Sequence, residues 1–161
     1  MIPRSVEAFL NEQHLPYSVL HHRPAYTALE EAALAHVPGW QWAKTIVCMA
    51  DDQPILAVVP APALVDLDRL RAMTGANDVR LASESEFGRL YRDCEVGAMP
   101  PLGPLYGQQV FIDRALLAAG AMVFEAGSHM DAIKVNCDDF ARVVHPTVGS
   151  IGRMRATPID H

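Results

Sequence analysis

Residues 43–61 read AKTIVCMADDQPILAVVPA. Two apolar runs, 43–50 and 54–61, are rich in β-branched residues and flank Asp51-Asp52-Gln53, which predicts a hairpin. Upstream, 5–14 (SVEAFLNEQH) carries Val6, Phe9 and Leu10 on one side behind Ser5 as a cap, so it reads as a helix. YSVLHH (17–22) reads as a strand. TALEEAALAH (27–36) opens with Thr27 and Glu30 at capping-box spacing, has a helical body, and stops at Pro38-Gly39. Downstream, DLDRLRAMTG (66–75) is a helix capped by Asp66 and stopped by Gly75. VRLAS (79–83) is a short strand, and a further helix starts at Ser83 with Glu86 in capping-box position. QQVFID (108–113) and AMVFEAG (121–127) look extended around a helical turn at RALLAAG (114–120). DAIKVNC (131–137) is a strand and DDFARVVH (138–145) the final helix. From 146 to 161, including Arg153 and Arg155, no pattern is visible, and a loosely held tail is expected.

Strands outnumber long helices, and hairpin-length connections replace the regular βα alternation of a doubly wound sheet. The expectation is an α+β single domain over residues 1–161, with a curved, mixed, barrel-like β-sheet surrounded by helices. Half of the residues are apolar and a fifth are charged, ordinary for a globular chain able to bury a full core. No apolar run approaches the ~20 residues of a membrane span, and residues 1–15 are amphipathic rather than signal-like, so a cytoplasmic protein with no membrane partner is expected. Cys48, Cys94 and Cys137 are far apart and form no C-x-x-C pair, which argues against zinc or disulfide frameworks and for free thiols. His21 and His22 are adjacent in a strand and point to opposite faces, so no metal site is expected there. The net charge of −6 excludes capture of nucleic acid by a global basic field, and DNA is not an expected partner. A partner touched at one end only remains compatible with it.

Residues 94–103, CEVGAMPPLG, have almost no side-chain chemistry to offer. Pro100 and Pro101 lack N–H groups and push Met99 and Pro100 toward extended backbone, so the loop is stiff. It is either a structural turn, the default use of Gly and Pro, or a rigid cradle presenting the amides of Gly97, Ala98 and Met99 to developing negative charge. Lys44 is one of two lysines, and a cation inside AKTIVCMA either snorkels to a sheet edge or serves a ligand.

Three stretches in register resemble the YbaK/ProX family, the aminoacyl-tRNA editing domains related to the insertion domain of bacterial prolyl-tRNA synthetase. Gly97 and Pro101 match its G-x-x-x-P loop. Ala43-Lys44-Thr45-Ile46-Val47 is similar to its lysine-bearing strand. AGSHMDAIKV (126–135) resembles its glycine-rich turn, with His129 matching a histidine found in several members. The likeness runs from about 17 to 145. It implies a curved α+β domain and a trans-editing deacylase, which hydrolyses the ester joining a wrong amino acid to the 3′ end of a tRNA.

The resemblance implies further that Lys44 contacts phosphate or ribose of the terminal adenosine, and that the Gly97, Ala98 and Met99 amides hold the oxyanion. His129 would position substrate or water ahead of acting as a base. Tyr26 and Thr27 resemble an aromatic–threonine pair near the family's pocket, with Thr27 also explicable as a helix cap. Thr45, Pro101, Gly127 and Ser128 complete the implied substrate contacts. No cofactor is implied, and the expected partner is the aminoacyl-tRNA 3′ end, delivered by a synthetase or elongation factor. An activated ester needs no protein nucleophile, and nothing in sequence activates Cys94 for that role. Alanine-specific members carry asparagine where this chain has Thr45, which leaves alanine, serine, cysteine and 2-aminobutyrate open. The competing function is a non-catalytic module that binds aminoacyl-adenosine or a nucleotide; a general esterase would need a nucleophile motif.

Overall fold

Asp51 and Asp52 both take left-handed backbone (φ 46° and 66°) and close the hairpin with two residues, the arrangement that suits the right-handed twist of paired strands. The computed structural model describes residues 2–25 and 27–154. In chain order the elements are α1 (Arg4–Glu12), β1 (Tyr17–His21), α2 (Ala28–Leu34), a 3-10 turn (Gly39–Gln41), β2 (Ala43–Ala50), β3 (Gln53–Pro60) and β4 (Ala63–Val65). There follow α3 (Leu67–Thr74), β5 (Val79–Leu81), α4 (Glu84–Leu90), α5 (Gly103–Tyr106), β6 (Val110–Asp113), α6 (Arg114–Leu117) and β7 (Ala121–Ser128). β8 (Asp131–Asn136), α7 (Cys137–Val144), β9 (Thr147–Gly149) and β10 (Gly152–Met154) complete the chain.

The β2–β3 hairpin sits at the centre of a five-stranded mixed sheet ordered β5-β2-β3-β6-β9, antiparallel across the first three strands and parallel across the last three. Its pleat separates two cores. Ala43, Val47, Leu56 and Val58 face the main core, which also takes Val6 and Leu10 of α1, Phe87 of α4 and Phe140 of α7. Cys48, Ile55, Ala57 and Val59 face a second core closed by Leu70 of α3 and Ile151. A three-stranded antiparallel sheet, β1-β8-β7, meets the large one through a bridge between Trp42 and Val123. Among the described residues no continuous ladder joins the two sheets, so the curved mixed sheet is not closed into a barrel.

The helix caps come from the residues expected. Thr27 accepts from the Glu30 amide, Asp66 from Arg69, and Ser83 and Glu86 form a reciprocal capping box. Ser5 is an exception: it lies inside α1 and its hydroxyl donates to Asp93. The expected loose tail is corrected as far as Met154. β9 pairs with β6, β10 pairs with β4, and the buried Asp113 accepts the Ile151 and Gly152 amides at 3.1 and 2.7 Å. Arg153 is therefore part of the sheet framework, while Arg155 lies outside the described residues. Among the described residues no helix is long and apolar enough to cross a membrane.

Candidate active site

The glycine–proline loop is pinned to the end of β7. Glu95 donates its amide to Gly127 O (2.8 Å), and Gly127 donates in turn to Ala98 O (2.7 Å). Between them Glu95 to Ala98 forms a tight turn, closed by Ala98 N–H on Glu95 O (3.0 Å), with Gly97 at φ 81° where a type II turn requires positive φ. This bond corrects one expectation: the Ala98 amide is spent within the loop and cannot hold an oxyanion. The Gly97 and Met99 amides pair with no acceptor among the described residues. Pro101 follows in the buried wall behind them.

Gly127 and Ser128, expected to touch substrate, hold the loop and the turn instead. Gly127 has φ 106°, and a Cβ there would meet the Pro3 ring at 2.5 Å. Ser128 Oγ donates to Asp131 (2.8 Å) and accepts the Met130 and Asp131 amides. Thr27 is occupied as the α2 cap. Tyr26 lies outside the described residues.

His129 packs against the loop, its Cε1 3.7 Å from where a Gly97 Cβ would stand. Its Nε2 lies 2.8 Å from Val96 O, which only accepts, and its Nδ1 lies 2.7 Å from Glu31 Oε1. Satisfying both makes each ring nitrogen a donor, the imidazolium form. Partial burial opposes that charge, but the Val96 carbonyl and Glu31 outweigh it and raise the His129 pKa above the ordinary histidine value.

Glu31 leads to residues that the sequence reading missed. Glu125, on β7, is 6% exposed and its Oε1 lies 2.6 Å from His22 Nε2, while His22 Nδ1 donates to Arg23 O at 2.8 Å. Burial first, and the neighbouring Glu31 second, push the Glu125 carboxyl well above the usual carboxylate range. Its Oε2 meets no donor, and neither does the buried Thr45 hydroxyl. The sequence held one signal for Glu125: an acid within the apolar run AMVFEAG, where a charge needs a reason.

Glu31, Lys44, Thr45, Gly97, Met99 and Glu125 are among the residues lining one cavity of about 20 Å³, room for a single water-sized group. Through Thr45 and Gly97 it adjoins a 170 Å³ trough bordered by Ile46, Leu81 and Phe87, and Ile46 and Leu81 also border a 300 Å³ apolar trough whose lining includes Lys44 and Arg153. Strand alternation turns the Lys44 side chain to the opposite face from Thr45. The Lys44 ammonium donates to Ala63 O (2.5 Å) and Ala61 O (3.4 Å). Cys94 sits beside Tyr106 and Asp93, and burial raises its thiol to about 11, which suppresses a nucleophilic thiolate. Its neighbours contribute no activating imidazole.

The model of the aminoacyl-tRNA editing domain matches residues 22–143, most of the chain. The protein belongs to that family. Solved structures agree on the fold of this editing domain. One, described as a candidate trans-editing enzyme for prolyl-tRNA synthetase, is 20% identical with a TM-score of 0.78, over 95% of this chain and 99% of its own. Another, the hypothetical protein APE2540, is 21% identical with a TM-score of 0.83, over 93% of this chain and 100% of its own. A candidate signal transduction protein from Marinobacter aquaeolei VT8 contains the same fold within 31% of its length, at 17% identity and a TM-score of 0.73. At these identities the likeness is one of fold. No curated protein matches the sequence.

Proposed function

We propose that this editing domain is a deacylase acting in trans, which hydrolyses the ester of tRNA mischarged with a small amino acid such as alanine, serine, cysteine or 2-aminobutyrate. One observation carries the reading: Gly97 and Met99, on a turn fixed by its neighbours, have amides that meet no acceptor among the described residues, and they line a cavity with Thr45, whose hydroxyl likewise has no partner there. An aminoacyl ester is already activated. Catalysis then consists of placing its carbonyl oxygen on donors that need no reorganisation as water adds and negative charge develops. As the tetrahedral intermediate collapses, the bond to the ribose oxygen breaks and the 3′ end leaves as a free hydroxyl.

His129 fits a positioning role in this scheme. An imidazolium with both N–H groups committed cannot accept a proton, but it fixes Val96, and hence Gly97, relative to Glu31. The apolar trough suits the terminal adenosine, and Lys44 and Arg153 in its lining suit ribose and phosphate. The 3′ end is the expected contact, with a synthetase or elongation factor as the source of substrate.

The test is a deacylation panel of tRNAs carrying each small amino acid. The expected result is release of at least one, reduced about a hundredfold or more by Gly97→Val, which misplaces the oxyanion donors, and strongly reduced by Lys44→Ala. Absence of release from every member would sink the enzyme reading. Stoichiometric binding of a non-hydrolysable alanyl-adenosine without turnover would make the protein a binding module.

A further inference from the structure

Resting on the deacylase reading, we infer that Glu125 and Glu31 form a receptor for the free α-ammonium of the aminoacyl group, so that the site is selective for esters whose α-nitrogen is unblocked and charged. The two carboxylates come from different elements, β7 and α2, and converge on one cavity. Both side chains are more than nine-tenths buried, where a carboxylate without a cationic or donor partner is costly. His22 and His129 each engage one carboxyl oxygen from the outside, and before substrate binds Glu125 keeps a proton that the arriving ammonium displaces to solvent. Among the described residues Glu125 Oε2 and the Thr45 hydroxyl meet no hydrogen-bond partner, and both residues line the cavity.

The size and polarity of the cavity choose its occupant. About 20 Å³ accepts one group the size of water, which fits an ammonium or a methyl. A methyl would leave both polar atoms unsatisfied, whereas an ammonium brings three donors and no acceptor. The covalent geometry of the substrate agrees. The α-nitrogen lies two bonds from the ester carbonyl carbon, and the same small cavity is lined by Gly97 and Met99 as well as by Glu31 and Glu125. With nitrogen and carbonyl oxygen fixed, the amino-acid side chain is directed to the adjoining trough at Ile46, Val47 and Phe87. Charged or titratable groups also bearing on Glu125 are His22 from the end of β1, Asp131 from β8 and Glu95 from the loop. Asp131 and Glu95 add negative charge around the carboxyl pair, and Lys44, which also lines the cavity, gives its ammonium to the Ala61 and Ala63 carbonyls.

The experiment compares alanyl-tRNA with lactyl-tRNA, its α-hydroxyl analogue of nearly equal size, each rate divided by the spontaneous hydrolysis rate of the same ester. Wild-type protein should prefer alanyl-tRNA by at least about tenfold in kcat/KM. Glu125→Gln and Glu31→Gln should shrink that preference to near unity by raising KM for the alanyl ester, with the lactyl ester affected far less. Thr45→Val provides a variant outside the carboxylate pair should either Gln variant fail to fold, and it should reduce the preference partially. Wild-type protein that cleaves both esters equally overturns the inference and leaves the deacylase reading intact. Parallel loss on both esters in the Gln variants overturns it as well, and assigns the carboxylates to activating water. If another member of the panel is cleaved and alanyl-tRNA is not, the same comparison is made with that amino acid and its α-hydroxy acid; if no member is cleaved the deacylase reading falls. Calorimetry with amide-linked alanyl-adenosine and its lactyl counterpart then decides the receptor: discrimination supports it, and equal affinity overturns it.

Discussion

Glu125 shows how one buried acid ties stability to pH. Burial and the adjacent Glu31 raise its pKa in the folded protein. The unfolded chain gives up the same proton near pH 4.3. Stability from this group is therefore complete below that pH and drains away as pH rises toward the folded midpoint. His129, whose pKa is also raised, contributes with the same sign above about pH 6.5. Glu125→Gln mimics the protonated acid, so relative to wild type it should gain about 1 kcal/mol for each pH unit above about 4.3. Urea midpoints at about pH 5 and about pH 7 check this. A constant loss of several kcal/mol at both would instead mean that Glu125 is a carboxylate paired with a charged His22. Gly97 makes a complementary case. An added Cβ has ordinary room beside His129, but φ 81° costs a non-glycine residue about 1 kcal/mol. Gly97→Ala should thus lose about that much stability and, by re-aiming its own amide, far more activity. Equal modest losses in both would remove Gly97 from the oxyanion role.

Elements whose instructions are local were legible before any coordinates. The β2–β3 hairpin follows from two apolar runs around adjacent aspartates, and α3 and α4 begin and end where Asp66, Gly75 and Ser83 say they should. Short β4, β9 and β10 were not legible, because three residues carry no periodicity and each strand exists only through its distant partner. The site divides in the same way. Gly97, Met99 and Thr45 were named in advance, since a proline-stiffened loop and a strand motif are contiguous. The Ala98 amide was misassigned because its use depends on the turn that Gly97 makes. Glu31, Glu125 and His22 were missed because they meet from α2, β7 and the end of β1. Asp113 is the clearest long-range instruction: it caps α6 and holds the chain between β9 and β10 by two amides. Asp113→Ala should cost about 2–3 kcal/mol and raise hydrogen exchange first at Ile151 and Gly152. Protection unchanged at those amides would mean that β9 and β10 are held by their ladders alone.

At the level of the whole molecule, an acidic protein must recognise the end of a polyanion. The chain carries a net charge of −6; Arg153 borders the trough, and Lys44 lines both the trough and the carboxylate-lined cavity. The proposed function divides the labour along one groove: positive charge would serve the phosphate of the last nucleotides, apolar walls at Ile46, Leu64 and Leu81 the base, and amides the ester. Such a site draws its affinity from a few contacts at the terminus and gains nothing from the tRNA body, which the protein's own charge repels. Two neutralised phosphates on single-stranded RNA give a slope of roughly −1.4 in log affinity against log salt. The measured slope for aminoacyl-tRNA should lie near that value or be shallower. It should be the same for a minihelix as for intact tRNA, and should become shallower by roughly 0.7 on Lys44→Ala. A slope several times steeper, or strong preference for intact tRNA over the minihelix, would show that the protein grips the tRNA body through a surface other than this groove.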